Sequence, residues 1–141
     1  MRIRLSGAAA LACCLAVTPA PAWADPTPEC NAGPAPGSTE CGANSSATSE
    51  GATAIGDSAT ASGVSPMTLG GSTAVGTQAQ ATGAGAQAFG WQSRSTGIRS
   101  LAVGYQAQAT ENFAVATGPG TVASGLNSSA IGPFANATGM G

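Results

Sequence analysis

From Gly51 onward one order of apolar, small and polar positions keeps returning: a variable residue, Ala, an apolar residue, Gly, two variable residues, Ala, one more variable residue, Ala, a hydroxyl residue and Gly. The copies open at Thr53-Ala54-Ile55-Gly56, Thr73-Ala74-Val75-Gly76, Gln87-Ala88-Phe89-Gly90, Leu101-Ala102-Val103-Gly104, Val115-Ala116-Thr117-Gly118 and Ser129-Ala130-Ile131-Gly132. Positions 75, 89, 103, 117 and 131 are each 14 apart, and only the first interval, 55 to 75, is longer, by six residues. Met67-Thr68-Leu69-Gly70 reads as an aborted copy, so an insert or bulge is expected near Val64 to Ser72.

Alternation inside each copy predicts short strands with one buried side, as in Leu101-Ala102-Val103 and Ala107-Gln108-Ala109-Thr110. The two glycines per copy predict chain reversals. A unit this short cannot bury its own apolar face and must stack on its neighbours. The expectation is therefore an all-β parallel solenoid, two strands per 14-residue coil, with roughly six or seven layers and a length near 30 Å at about 4.8 Å per layer. Ile55, Val75, Phe89, Val103 and Ile131 are expected to form the core column. One Ile or Val and two Ala per coil bury little apolar surface against the entropy of ordering 14 residues, so burial against other chains, and hence an obligate oligomer, is expected.

Upstream the pattern changes. Residues 1–24 read as a secretory signal: Arg2 and Arg4 precede a short apolar run containing Leu11 to Val17, and Ala22-Trp23-Ala24 fits small-x-small cleavage before Asp25. Ala10-Leu11-Ala12 before Cys13 is a poor match to a lipoprotein signal. Residues 25–49 are rich in Pro, Gly and Ser without an apolar period and read as an extended leader, with the repeat domain occupying 50–141. In an exported chain Cys30 and Cys41 are expected to form a local disulfide within that leader.

Composition narrows the function. Beyond residue 24 two basic residues face six acidic ones, a net charge of about −4, which argues against nucleic acid and anionic membrane surfaces as partners. The chain has no His and no Lys, and Glu50, Asp57 and Glu111 occupy non-equivalent repeat positions, so no acid–base pair or activated nucleophile can be assembled. No catalysis, cofactor or metal site is expected.

Two surface features stand out. Ser62, Thr82, Thr96, Thr110, Ser124 and Thr138 place a hydroxyl before the second Gly position of every copy. Such a ladder stabilises stacked strands through β-propensity and cross-strand hydrogen bonds. Its alternative is a flat array for ice or carbohydrate. The large side chains gather after the first Gly: Trp91, Tyr105, Pro119, Pro133 and Phe134, with Arg94 and Arg99 nearby. Trp91, Arg94, Arg99, Tyr105 and Phe134 are the candidate partner patch, the other reading being a seam between subunits. Asn44-Ser45-Ser46, Asn127-Ser128-Ser129 and Asn136-Ala137-Thr138 fit a glycosylation acceptor pattern, too short a motif to carry weight by itself.

The repeated x-Ala-(Ile/Val)-Gly-x-x-Ala-x-Ala-x-Gly at 14-residue spacing behind a signal segment resembles the YadA-like head repeats of trimeric autotransporter adhesins, over roughly Gly51 to Gly139. The resemblance implies a left-handed parallel β-roll, a homotrimer, and attachment to host matrix or cell-surface ligands, or self-association, on the outer surface of a Gram-negative bacterium. Such adhesins continue into a neck, a coiled-coil stalk and a membrane barrel. This sequence, two residues beyond its last repeat, has neither heptads nor a barrel strand series, so membrane attachment is expected only through an anchor outside it, or else a released head. Against the adhesive head stand a structural or ice- or carbohydrate-binding solenoid and a disordered linker, the last opposed by the regular apolar column.

Overall fold

A computed structural model of the protein describes residues 30–64 and 70–141. The expected signal segment, the start of the leader and Met67 to Leu69 lie outside the described residues. After β1 (Cys30–Ala32) the strands come in pairs, one pair per coil. The pairs are β2 (Thr39–Cys41) with β3 (Ser46–Ala47), β4 (Thr53–Ile55) with β5 (Thr60–Ala61), and β6 (Thr73–Val75) with β7 (Gln80–Ala81). There follow β8 (Gln87–Phe89) with β9 (Arg94–Ser95), β10 (Leu101–Val103) with β11 (Gln108–Ala109), β12 (Val115–Thr117) with β13 (Val122–Ala123), and β14 (Ser129–Ile131) with β15 (Asn136–Ala137). The fold is an all-β solenoid of about seven turns with coils of 14 residues.

The three-residue strands build one sheet in the order β1-β2-β4-β6-β8-β10-β12-β14, and the two-residue strands build the other, β3-β5-β7-β9-β11-β13-β15. Pairing between coils is parallel and in register, Leu101 beside Val115 and Gln87, Ala109 beside Ala123 and Ser95. Thr53 pairs directly with Thr73 and Ala61 with Ala81, so the longer interval adds no coil between β4 and β6.

The interior differs from the expected core. On the three-residue strands the middle residue points inward: Ala54, Ala74, Ala88, Ala102 and Ala116 have no exposed surface. From the opposite sheet Ala47, Ala61, Ala81, Ser95, Ala109 and Ala123 meet them, and the corners add Ala59, Ala79, Ala107, Ser72 and Ser100. The Ile55–Ile131 column lies on the outer face of the sheet: Ile55 is 40% and Ile131 73% exposed, and Val75, Phe89 and Val103 are half-buried by their ladder neighbours. The reason is width. Two sheets closed by turns of a few residues leave room between them for little more than Ala and Ser, Thr121 being the largest fully buried side chain among the described residues, so the smaller of the two alternating sets goes inside.

The inward hydroxyls are satisfied locally. Ser93 donates to the Gly90 carbonyl at 3.0 Å, Ser100 to Gly97 at 2.7 Å and Thr121 to Gly118 at 2.7 Å, each across one turn. Among the described residues no buried side-chain nitrogen or oxygen lacks a partner.

The turn from the first sheet to the second uses a left-handed residue two places after the conserved Gly: Gln78, Gln92, Gln106 and Phe134 have φ of 54–58°. Gly90 itself, at φ +125°, has the Gly104 oxygen 2.5 Å from where a Cβ would stand, so neither the conformation nor the spacing admits a side chain.

The solenoid begins earlier than the expected boundary at residue 50. Thr39-Glu40-Cys41 pairs in parallel with Thr53-Ala54-Ile55 and Ser46-Ala47 with Thr60-Ala61, so residues 39–47 form the first coil. Glu40 stands where later coils have Ala, and Cys41 where they have Ile or Val, which hides the repeat. Ahead of it β1 runs antiparallel to β2, Cys30 opposite Cys41, and the pair is disulfide-bonded with Cα atoms 4.1 Å apart. This covers the first edge of the larger sheet.

Candidate functional surfaces

Because the interior takes the small set, the large apolar side chains among the described residues are displayed, and the two sheets display different chemistry. Outward positions of the three-residue strands carry Ile55, Val75, Phe89, Leu101, Val103 and Val115, an apolar stripe along the axis. Outward positions of the two-residue strands carry Thr60, Gln80, Arg94, Gln108, Val122 and Asn136 in one column. The hydroxyl column follows it: Ser62, Thr96, Thr110 and Ser124 are half-buried, Thr82 and Thr138 exposed. Along that column Thr96 donates its hydroxyl to the Thr110 carbonyl at 3.2 Å, tying adjacent coils. The roll is amphipathic by degree: the outer face of the three-residue sheet is the more apolar, with Thr53, Thr73, Gln87, Thr117 and Ser129 beside the stripe, and that of the two-residue sheet the more polar.

The corner between the sheets, at the turn after the first Gly, concentrates the polar chemistry. The left-handed turn residue projects its side chain away from the coil, and one-coil translation puts Gln78, Gln92 and Gln106 in a line. Gln92 Nε2 donates to Gln78 Oε1 at 2.7 Å and Gln106 Nε2 to Gln92 Oε1 at 3.0 Å. Beside this amide ladder run Gln80, Arg94 and Gln108, and the two rows enclose adjoining open troughs of about 420 and 470 Å³ that share Gln92 and Arg94 as walls. Gly120 interrupts the glutamine row, and the Phe134 ring fills the space above it: a Cβ on Gly120 would lie 2.7 Å from Phe134 Cδ1. Phe134, 81% exposed, thus closes one end of the trough.

The candidate patch is divided by the fold. Arg94 and Phe134 line the trough. Trp91 and Tyr105, next to the ladder glutamines in sequence, stack on each other with ring centroids 4.9 Å apart and 23° between planes, and both are exposed. Arg99 belongs to the other corner, where it takes the left-handed turn position at φ 53° near exposed Ile98 and Phe113. The glutamine rows, absent from the expected sites, were visible as Gln at positions 78, 92 and 106. Their meaning required knowing that this turn position points outward. Among the described residues no group of three or more His, Cys, Asp or Glu is placed to hold a metal ion.

Comparison with known families agrees with this geometry. The family model described as the YadA head domain repeat matches residues 42–59, 47–65, 70–93, 95–121 and 123–141, together about two thirds of the chain. No curated protein matches the chain.

Proposed function

The chain belongs to the YadA head-repeat family, and from that premise we propose that it is the trimeric head of a bacterial surface adhesin, displayed on a Gram-negative cell and acting by multivalent contact instead of catalysis. The observation that carries this reading is the amphipathic cross-section. Each of five successive coils places at least one of Ile55, Val75, Phe89, Leu101, Val103 and Val115 on the outer face of one sheet, the apolar stripe crossing from the third strand position to the first at Leu101 and Val103. Burial of such a face against two other copies supplies the apolar contact that an interior made of Ala and Ser does not. Trimerisation through this face leaves the polar sheet and the trough corner turned outward, repeated three times about the axis and available to a ligand on a host matrix or cell surface. Weak single contacts are strengthened by such repetition.

Light scattering of the purified protein is expected to give three times the chain mass, and beads coated with it to attach to cell layers or matrix protein. A monomer with an ordered β spectrum would overturn the trimer and favour a solitary solenoid. A trimer that attaches to neither surface would overturn the adhesive role.

A further inference from the structure

We infer that the trough between the glutamine ladder and the Gln80–Arg94–Gln108 row binds a linear acidic glycan, a chain of uronic-acid rings, with Arg94 taking the carboxylate. This deepens the adhesive reading by naming a ligand class.

Charge comes first. Arg94 is the sole charged residue in the two-residue strands, and no acidic residue lines either trough, on a chain with more acidic than basic residues. A guanidinium raised in a field of neutral amides takes one carboxylate of such a chain in a planar two-point contact, while the carboxylates of the neighbouring rings stay hydrated at the mouth of the open trough. The second component is the amide rows. Each glutamine offers both a donor and an acceptor, the pairing that sugar hydroxyls require. The ladder bonds of 2.7 and 3.0 Å already hold the side chains of Gln78, Gln92 and Gln106 in place, which lowers the entropy lost when a ligand docks.

Spacing decides between classes of chain. Rows in a stacked parallel sheet repeat every 4.7–4.9 Å or so. Equatorially linked pyranose rings advance by close to that interval and alternate in orientation, so every second sugar presents the same edge to the glutamines of every second coil. An extended peptide presents side chains on one face about 6.6 Å apart and drifts out of step within two coils. Phe134, over Gly120, ends the trough with an exposed aromatic ring against which the apolar face of a terminal sugar can lie.

The test is titration calorimetry of the purified protein with an oligomannuronate, its methyl ester, and an oligoglutamate of equal length. The oligomannuronate is expected to bind, esterification to abolish most of the binding, and the oligoglutamate to bind at least about tenfold more weakly. Arg94→Gln replaces the residue by the one already present above and below it in the same row, at Gln80 and Gln108. It is expected to leave the β spectrum and oligomer mass unchanged and to weaken oligomannuronate binding about tenfold or more, the scale of a charge-assisted hydrogen bond. Absence of oligomannuronate binding, equal binding by Arg94→Gln, or equal binding of oligoglutamate would each overturn the proposal. Attachment of coated beads to cell layers, measured in parallel, reports on the adhesive role independently.

Discussion

The Glu40 carboxylate accepts the backbone N–H of Ala47 at 2.6 Å, joining the two strands of the first coil across the interior. Ser46 and Thr48 donate forward, to Ala59 and Ala61 of the next coil, so the intervening Ala47 N–H faces the side where, among the described residues, no strand precedes β3. One inward carboxylate therefore closes an edge of the smaller sheet, as the β1 strand closes the larger one. Glu40→Ala is expected to cost about 1–3 kcal/mol, the scale of leaving such a donor without its charged partner. Hydrogen exchange at Ala47 is the direct readout; unchanged protection would show that Glu40 does not cap the coil.

The disulfide acts on the same end. Cys30 and Cys41 are 11 residues apart, and closing a loop of that size stabilises by about 2–3 kcal/mol in the chain-entropy account. Replacing both with Ser is expected to release β1 while the later coils keep their spectrum. Proteolysis should then clip the chain ahead of Thr39, whereas a global collapse would mean that the cap nucleates the whole stack.

Two glycines separate conformational from steric demands. Gly90→Ala must fit a φ of +125° and a carbonyl 2.5 Å away, and is expected to destabilise by roughly 3 kcal/mol or more. Gly85 has φ +67° and its nearest foreign atom is Arg99 Cγ at 3.6 Å, in a column where Arg99 itself adopts φ 53°. Gly85→Ala is expected to cost only about 1 kcal/mol. Thermal unfolding of the two variants should rank them in that order.

Neighbouring residues on one strand test which face is inside. Ala102 is fully buried and Val103 half-buried on the outside. Ala102→Leu is expected to overpack the interior and lower stability by about 1–3 kcal/mol, seen as a fall in melting temperature. Val103→Glu is expected to weaken the trimer in light scattering, so that the β spectrum is intact at high protein concentration and lost on dilution, whereas an interior change lowers stability at every concentration. The reverse pattern would restore the apolar column to the interior.

Much of this architecture was legible in the chain itself. The 14-residue return of Ala-(apolar)-Gly determined a solenoid, its two strands per coil and its turns, because only stacked coils let so short a unit bury anything. The six-residue excess between Ile55 and Val75 marked the one irregular interval, and Thr53 beside Thr73 shows that it adds no coil. Alternation defines two faces, however, and says nothing about which is inner when both are apolar. Ala54 and Ile55 were equally eligible until the width of the closed coil admitted one and excluded the other. The first coil escaped detection because Glu40 and Cys41 perform capping there, so its residues obey the end of the solenoid instead of the repeat. The glutamine trough likewise exists only in three dimensions: a left-handed turn aims Gln78, Gln92 and Gln106 outward, and the rise of one coil brings residues 14 apart in sequence within hydrogen-bonding distance.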